Sequence, residues 1–302
     1  MKIKYKDFRF SDGSLSLIAK CNQIIEDYET QGFILTLRQL YYQLVSRDII
    51  PNSQKEYKRI GSIINDARLA GLIDWAAIED RTRNLRRLAH WKNPAEIVES
   101  VALQFRVDRW EGQTYRPEVW IEKDALVGVI EQICNRFDVP FFSCRGYTSQ
   151  SEMWGAGQRL ITHAESGRVP YIIHFGDHDP SGKDMSRDIT DRLNLFMDVP
   201  GGFEFQRMAL NMDQIKKYNP PPNPAKITDS RSQGYIAEFG NSSWELDALE
   251  PKVISGLIES VLNGLIDQKP WNEKDVEIKQ GRKTLQKISD NYKKVEKFLS
   301  VK

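Results

Sequence analysis

From Arg116 onward, short runs rich in β-branched and aromatic residues alternate with amphipathic helical patterns, and this alternation constrains the fold more than any other feature. Residues 117–122, 139–144, 170–176 and 203–210 read as strands. Residues 124–137, 149–165 and 181–196 read as helices between them. A strand, a helix and a strand in regular succession predict an α/β fold with a mainly parallel sheet and helices on both faces. The proline-rich stretch 219–224 is expected to separate this part from a helical C-terminal tail.

The N-terminal part carries helix signals instead. Leu15, Ile18, Ile24 and Ile25 mark a helix over 14–28 that ends near Gly32. Thr36 and Gln39 have the spacing of a capping box and open a helix to about Arg47. Pro51 and Asn52 break the chain. Ser53 and Glu56 form a second box, opening a helix that reaches Ala70 with Gly71 as its stop. Two capped helices joined by a short break, with residues 72–78 as a wing, predict a winged helix-turn-helix. The expected division is a helical, winged-helix DNA-binding domain over 1–112 and an α/β domain with a helical extension over 113–302.

Charge refines this division. The 43 Lys+Arg and 42 Asp+Glu leave a net charge of +1, so the whole chain gives no sign of a polyanion partner. The window 36–92, however, holds 11 basic against 6 acidic residues. In the second capped helix Lys55, Lys58 and Arg59 lie off the apolar face of Tyr57, Ile60, Ile64 and Ala67, where they can meet backbone phosphates. Arg81, Arg83, Arg86 and Arg87 extend that footprint, which would bind DNA with little sequence preference and strong salt dependence. The 3 cysteines, none in a Cys-x-x-Cys pair, exclude a disulfide framework and a Cys-rich zinc site and suit a reducing compartment. No run is long and apolar enough for a membrane span, so a cytoplasmic, nucleoid-associated protein with no membrane partner is expected.

Functional groups of open α/β sheets gather where strands end at their carboxyl edge. Glu122 closes the first strand, and Asp177 and Asp179 follow the third. If those strands are neighbours, three carboxylates meet at one rim and form a hard oxygen site for Mg²⁺ or Mn²⁺. The plainer reading of Asp-x-Asp before Pro180-Ser181-Gly182 is a turn with an aspartate helix cap. The strand-end glutamate upstream favours the metal. Gly176 to Lys183 is not a P-loop, because its spacing is wrong and two carboxylates would face the phosphates. Gly155-Ala156-Gly157 falls inside a helical pattern and makes no dinucleotide fingerprint. The four histidines lack paired zinc spacing, and His178 is expected to be an exposed loop residue. The acidic stretch Trp244-Glu245-Leu246-Asp247 has no placement by pattern.

In the helix from Leu37, the residues Leu37, Leu40, Tyr41, Leu44 and Val45 form the buried stripe. Tyr42 lies off that stripe, one turn after Arg38, so a phenol and a guanidinium are presented together. A phenol titrates near pH ~10 and is a poor nucleophile unless a cation stabilises its phenolate. An ordinary solvent-edge tyrosine is the simpler account of Tyr42 taken alone.

Three motifs in order change that balance: Thr36-Leu37-Arg38-Gln39-Leu40-Tyr41-Tyr42, then Val119-Trp120-Ile121-Glu122-Lys123-Asp124-Ala125, then Gly176-Asp177-His178-Asp179-Pro180-Ser181-Gly182. Together they resemble the A subunit of topoisomerase VI and its meiotic double-strand-break relative, over about residues 36–185. That family joins a winged-helix domain with a nucleophilic tyrosine to a Toprim domain with a glutamate and an Asp-x-Asp motif. The resemblance implies a DNA topoisomerase of type IIB, or a related transesterase, in which Tyr42 attacks a DNA phosphate and leaves a 5′-phosphotyrosyl link. It makes Arg38 a phosphate stabiliser and Glu122, Asp177 and Asp179 ligands of Mg²⁺. It also implies a homodimer on double-stranded DNA, with the tyrosine of one subunit facing the metal of the other. Gln39 departs from the acidic residue often found there, and the chain is shorter than a full A subunit. ATP-driven gating would belong to a separate ATPase subunit, or the protein cuts DNA without strand passage. The alternatives are a Toprim nuclease that activates water, with Tyr42 structural, and a non-catalytic DNA-binding protein.

Overall fold

The computed structural model describes residues 1–79, 88–197, 201–225 and 231–300. Three helices form the N-terminal layer. Helix α1 (Asp12–Glu29) is capped by Ser11 and buries Leu17, Ile18, Cys21, Ile24 and Ile25. Helix α2 (Leu37–Ser46) has its full capping box: the Gln39 amide donates to Thr36 Oγ1 at 3.3 Å, and the Thr36 amide to Gln39 Oε1 at 2.8 Å. Helix α3 (Gln54–Leu69) realises only half of its box. Ser53 accepts from the Glu56 amide, but the Ser53 amide donates to the Tyr41 hydroxyl at 2.8 Å, which frees Glu56 to pair with Arg59. Gly71 ends α3 with φ +72°, as a left-handed stop requires. Residues 72–78 correct the expected wing: they form turns, held by an isolated bridge between Leu35 and Ile78 and by hydrogen bonds from Arg68 to the Trp75 and Ile78 carbonyls.

Helix α4 (Pro94–Gln104) leads to the α/β part. There β1 (Tyr115–Ile121), β2 (Phe141–Ser143), β3 (Val169–Phe175) and β4 (Glu204–Ala209) form a parallel sheet in the order β2-β1-β3-β4. Helices α5 (Val127–Arg136), α6 (Gln150–Glu165) and α7 (Pro180–Phe196) make the crossovers. Alternation along the strands divides the core. Val119, Ile121, Ile173 and Phe175 face α5 and α10 (Pro251–Leu265), while Trp120 and Ile172 face α6 and α7. Each wholly buried side chain of this size contributes roughly 1.5–3 kcal/mol. Packing on both faces therefore fixes the strand ends independently of any ion at the rim.

After β4 come α8 (Met212–Tyr218), the two-residue β5 (Asn223–Pro224), α9 (Ser232–Phe239) and β6 (Ser242–Ser243). The proline-rich stretch is not a plain spacer, because β5 pairs antiparallel with β6, Asn223 opposite Ser243. A 3₁₀ turn at Leu246–Ala248 then joins the two cores: Leu246 packs with the sheet, and Ala248 with α1 to α3. The expected helical tail follows as α10, α11 (Gln268–Asp290) and α12 (Tyr292–Ser300). Helix α4 packs along α11 at Gly281, where a Cβ would fall 2.1 Å from Phe105. All three cysteines are free and buried, and burial pushes their thiols up to about 12. Among the described residues no helix is long and apolar enough to cross a membrane.

Candidate active site

Strands β1 and β3 are direct neighbours, with Ile121 opposite Phe175, so Glu122 and Asp177 leave the sheet side by side. The Glu122 amide donates to the Phe175 carbonyl and the Asp177 amide to Glu122 Oε2, both at 2.8 Å. Gly176 leaves room for this, since a Cβ there would lie 3.0 Å from Glu122 Oε2. Asp179 caps α7, accepting from the Gly182 amide at 2.6 Å and from the Ser181 hydroxyl. The helix-cap reading of Asp-x-Asp therefore holds for Asp179, and the same residue still lies close enough to Glu122 to raise its pKa. Arg207, from β4, ties the loop together by donating to the carbonyls of Gly176, Asp177 and Gly182.

Gly182 sets how closely α7 approaches the acids. A Cβ at that position would sit 2.3 Å from the Asp177 carbonyl oxygen, and a backbone atom cannot give way as a side-chain tip can. Gly182→Ala is expected to destabilise the fold by about 1–3 kcal/mol and to displace Asp177 from Glu122. Urea unfolding checks the first effect. A stability equal to that of the wild type would show that α7 can shift without cost.

The segment 242–247 completes the site, and pattern alone had not placed it. Trp244 pairs with His178 through two backbone hydrogen bonds, and the Leu246 amide donates to Asp177 Oδ1 at 2.7 Å. Glu245 and Asp247 are thereby brought over the rim. Lys123 Nζ binds Asp177 Oδ2 at 2.9 Å, Asp247 Oδ1 at 3.3 Å and Glu245. Arg38 reaches the same two acids, with Nε 2.6 Å from Asp247 Oδ2 and an amino group on Glu245. Its guanidinium lies 5.7 Å from the Tyr42 ring centroid, so the expected pairing of Arg38 with Tyr42 is present.

Tyr42 does not sit at a solvent edge: it is only 5% exposed, and Gln39 and Gln43 are buried beside it. The stripe rule fails because α2 is covered twice, by α1 and α3 on one side and by the 3₁₀ turn on the other. His178 is likewise buried, with Nδ1 2.8 Å from the Tyr235 hydroxyl, because α9 and Trp244 close over its loop. Lys55, Lys58 and Arg59 are exposed on α3 as expected, Arg59 in an ion pair with Glu56. Arg81, Arg83, Arg86 and Arg87 lie outside the described residues.

Burial dominates the electrostatics. It raises the carboxyls of Glu122 and Asp177, and for Asp177 the neighbouring Glu122, Asp247 and Glu245 add to the rise against the pull of Lys123. Burial alone would lower Lys123, but Asp177, Asp247 and Glu245 hold it firmly protonated. Burial would raise Glu245, yet Lys123 and Arg38 bring it below the usual range. The Tyr42 phenol is pushed up to about 12, by burial first and then by Asp247 and Glu245, with Arg38 and Asn223 opposing. Burial and then the nearby Lys183 and Arg207 lower His178 to about 4, which leaves a neutral ring.

Formally, the acids Glu122, Asp177, Asp179, Glu245 and Asp247 outnumber the cations Lys123, Arg38 and Arg207 by two. Both Asp177 oxygens are engaged, whereas Glu122 Oε1 and Asp179 Oδ2 make no hydrogen bond among the described residues. No three His, Cys, Asp or Glu side chains among those residues are grouped as ligands of one ion. Mg²⁺ commonly takes only one or two carboxylates and completes its shell with water and substrate phosphate. The donor set and the excess negative charge fit such an ion. No protein-family model matches this chain, and no curated protein matches it.

Proposed function

We propose that the chain is a Mg²⁺-dependent DNA-cleaving transesterase that joins a helix-turn-helix to a Toprim-type domain, similar to the topoisomerase VI A subunit. Tyr42 is its nucleophile. The observation that supports this reading is one continuous network: Tyr42 lies beside Arg38, Arg38 shares Glu245 and Asp247 with Lys123, and Lys123 holds Asp177 beside Glu122. The phenolic oxygen forms a bond to phosphorus, the bond from phosphorus to the 3′ oxygen breaks, and that oxygen takes a proton. Glu122 and Asp179, with Asp177 behind them, would hold Mg²⁺, which supplies charge neutralisation at the phosphate. Arg38 stabilises the same charge from the tyrosine side, and Lys55, Lys58 and Arg59 track the backbone of double-stranded DNA. Each tyrosine cuts one strand, so a double-strand break takes two copies of the chain.

A second reading has its own support. Tyr42 is buried and hard to ionise, and Arg38 is engaged by carboxylates. In this reading the acids direct water to the same bond and Tyr42 is structural. Incubation with supercoiled plasmid and Mg²⁺, with and without ATP and proteinase, separates the two. Transesterification leaves protein on the 5′ ends until proteinase removes it, whereas hydrolysis leaves free phosphate ends. Plasmid that binds and stays uncut in every tube would sink both and favour a DNA-binding role.

A further inference from the structure

The proline-rich stretch delivers Asn223 to the tyrosine. Asn223 stands between Pro222 and Pro224, and a residue before proline is confined to extended backbone, so its conformation is set before any contact forms. Its pairing with Ser243 and the hydrogen bond from the Ala225 amide to the Asn241 carbonyl at 2.8 Å anchor it further. The side chain is held as firmly. Asn52 Nδ2 donates to Asn223 Oδ1 at 2.7 Å, and Asn52 Oδ1 accepts from the Tyr41 hydroxyl at 2.9 Å. Tyr41 is itself fixed by the Ser53 amide. With Oδ1 engaged, the remaining polar group of Asn223 is its NH₂, and the Asn223 side chain lies close enough to the Tyr42 phenol to lower its pKa. Both residues line an open cavity of about 290 Å³ between α2, α3 and the segment carrying Glu245.

We propose that Asn223 is the positioning residue of Tyr42: its side-chain NH₂ aims the phenolic oxygen at the cavity and donates to that oxygen as negative charge develops on it. The assignment rests on reading Tyr42 as the nucleophile. It gives Tyr41 a task as well, because the chain from Tyr41 through Asn52 to Asn223 orients the amide and leaves its donor facing the phenol. The phenol is otherwise faced by Arg38 and Tyr41 of α2, Tyr57 of α3, and Glu245 and Asp247 of the segment 244–247. Of these only Arg38 is a cation. Two carboxylates oppose phenolate, so a fixed neutral donor has a clear use.

The test uses the full chain with difluorotyrosine at position 42, whose phenol titrates in an accessible range and is followed by fluorine NMR. Asn223→Ala is expected to raise that titration by about one to two pH units, the worth of one hydrogen bond to a charged oxygen. Asn223→Asp, close to isosteric, is expected to raise it further, because a carboxylate then faces the phenolate. In the protein with its natural tyrosine, attachment to plasmid ends at fixed pH falls about 10- to 100-fold in both variants, and DNA binding stays within about twofold. A titration midpoint that is the same in wild type and both variants overturns the role of Asn223 even if Tyr42 attaches to DNA. Shifted midpoints in a protein that never attaches would overturn the nucleophile, and the positioning role with it, while the hydrogen bond stands.

Discussion

Tyr42→Phe is expected to leave supercoiled plasmid bound but uncut, with attachment to 5′ ends reduced roughly a thousandfold or more, as for loss of a covalent nucleophile. The fold should hardly notice. Phenylalanine keeps the ring that packs edge-on against Tyr41 at 5.2 Å, and only the hydroxyl beside Asn223 is lost, at a cost of about 1 kcal/mol. A large loss of activity with little loss of stability is what separates a nucleophile from a core aromatic. The wild-type protein should also show a telling pH profile. With the phenol near 12, its ionised fraction grows about tenfold per pH unit across the whole stable range, so attachment should climb with pH and not level off near neutrality. Cleavage by Tyr42→Phe at the wild-type rate, with free phosphate at the ends, would give the reaction to water.

What could be read from the chain, and what could not, follows from the range of the interactions. Glu122 and Asp177 were legible because a strand end is a local event, and parallel crossovers leave few ways to order the strands. The caps at Thr36 and Ser53 were legible for the same reason, although Ser53 gave its own amide to Tyr41 and not to Glu56. The burial of Tyr42 was not. Helical periodicity shows which face of α2 is apolar, but it cannot show that Glu245 and Asp247 will cover the polar face from two hundred residues away. Polar cover leaves no hydrophobic signature. His178 was misjudged similarly and Asn223 was missed, since each depends on a non-local bridge to the segment 242–247. The stretch Trp244-Glu245-Leu246-Asp247 carried no such sign, since carboxylates alternating with apolar residues are the ordinary pattern of a half-exposed strand. Lys123, directly after the strand-end glutamate, was the cation those acids needed.

Lys123→Met tests whether that cation holds the two halves of the site together. Methionine keeps the length and the apolar stem but removes the charge from Asp177, Glu245 and Asp247 at once. Arg38 would still serve Glu245 and Asp247, but Asp177 would keep only the Leu246 amide. The Asp247 side chain is wholly buried and that of Lys123 only 16% exposed, so solvent does little to screen the loss. Breaking a buried pair by removing one partner costs about 3–5 kcal/mol, and we expect a loss of that size in urea unfolding at neutral pH. Arg38→Met should cost less, because the Arg38 side chain is 42% exposed and water can replace part of its contacts. Acid should narrow the gap between Lys123→Met and wild type. Carboxyls whose folded pKa is raised are stabilising while protonated and become destabilising as pH climbs through that pKa, so lowering pH relieves the variant first. Mg²⁺ should narrow it too, by restoring positive charge among the acids, and should stabilise the variant more than the wild type. Equal stability of variant and wild type would mean that packing alone sets the rim. A loss that acid relieves and Mg²⁺ does not would mean that the acids are balanced by Lys123 without being open to a metal ion.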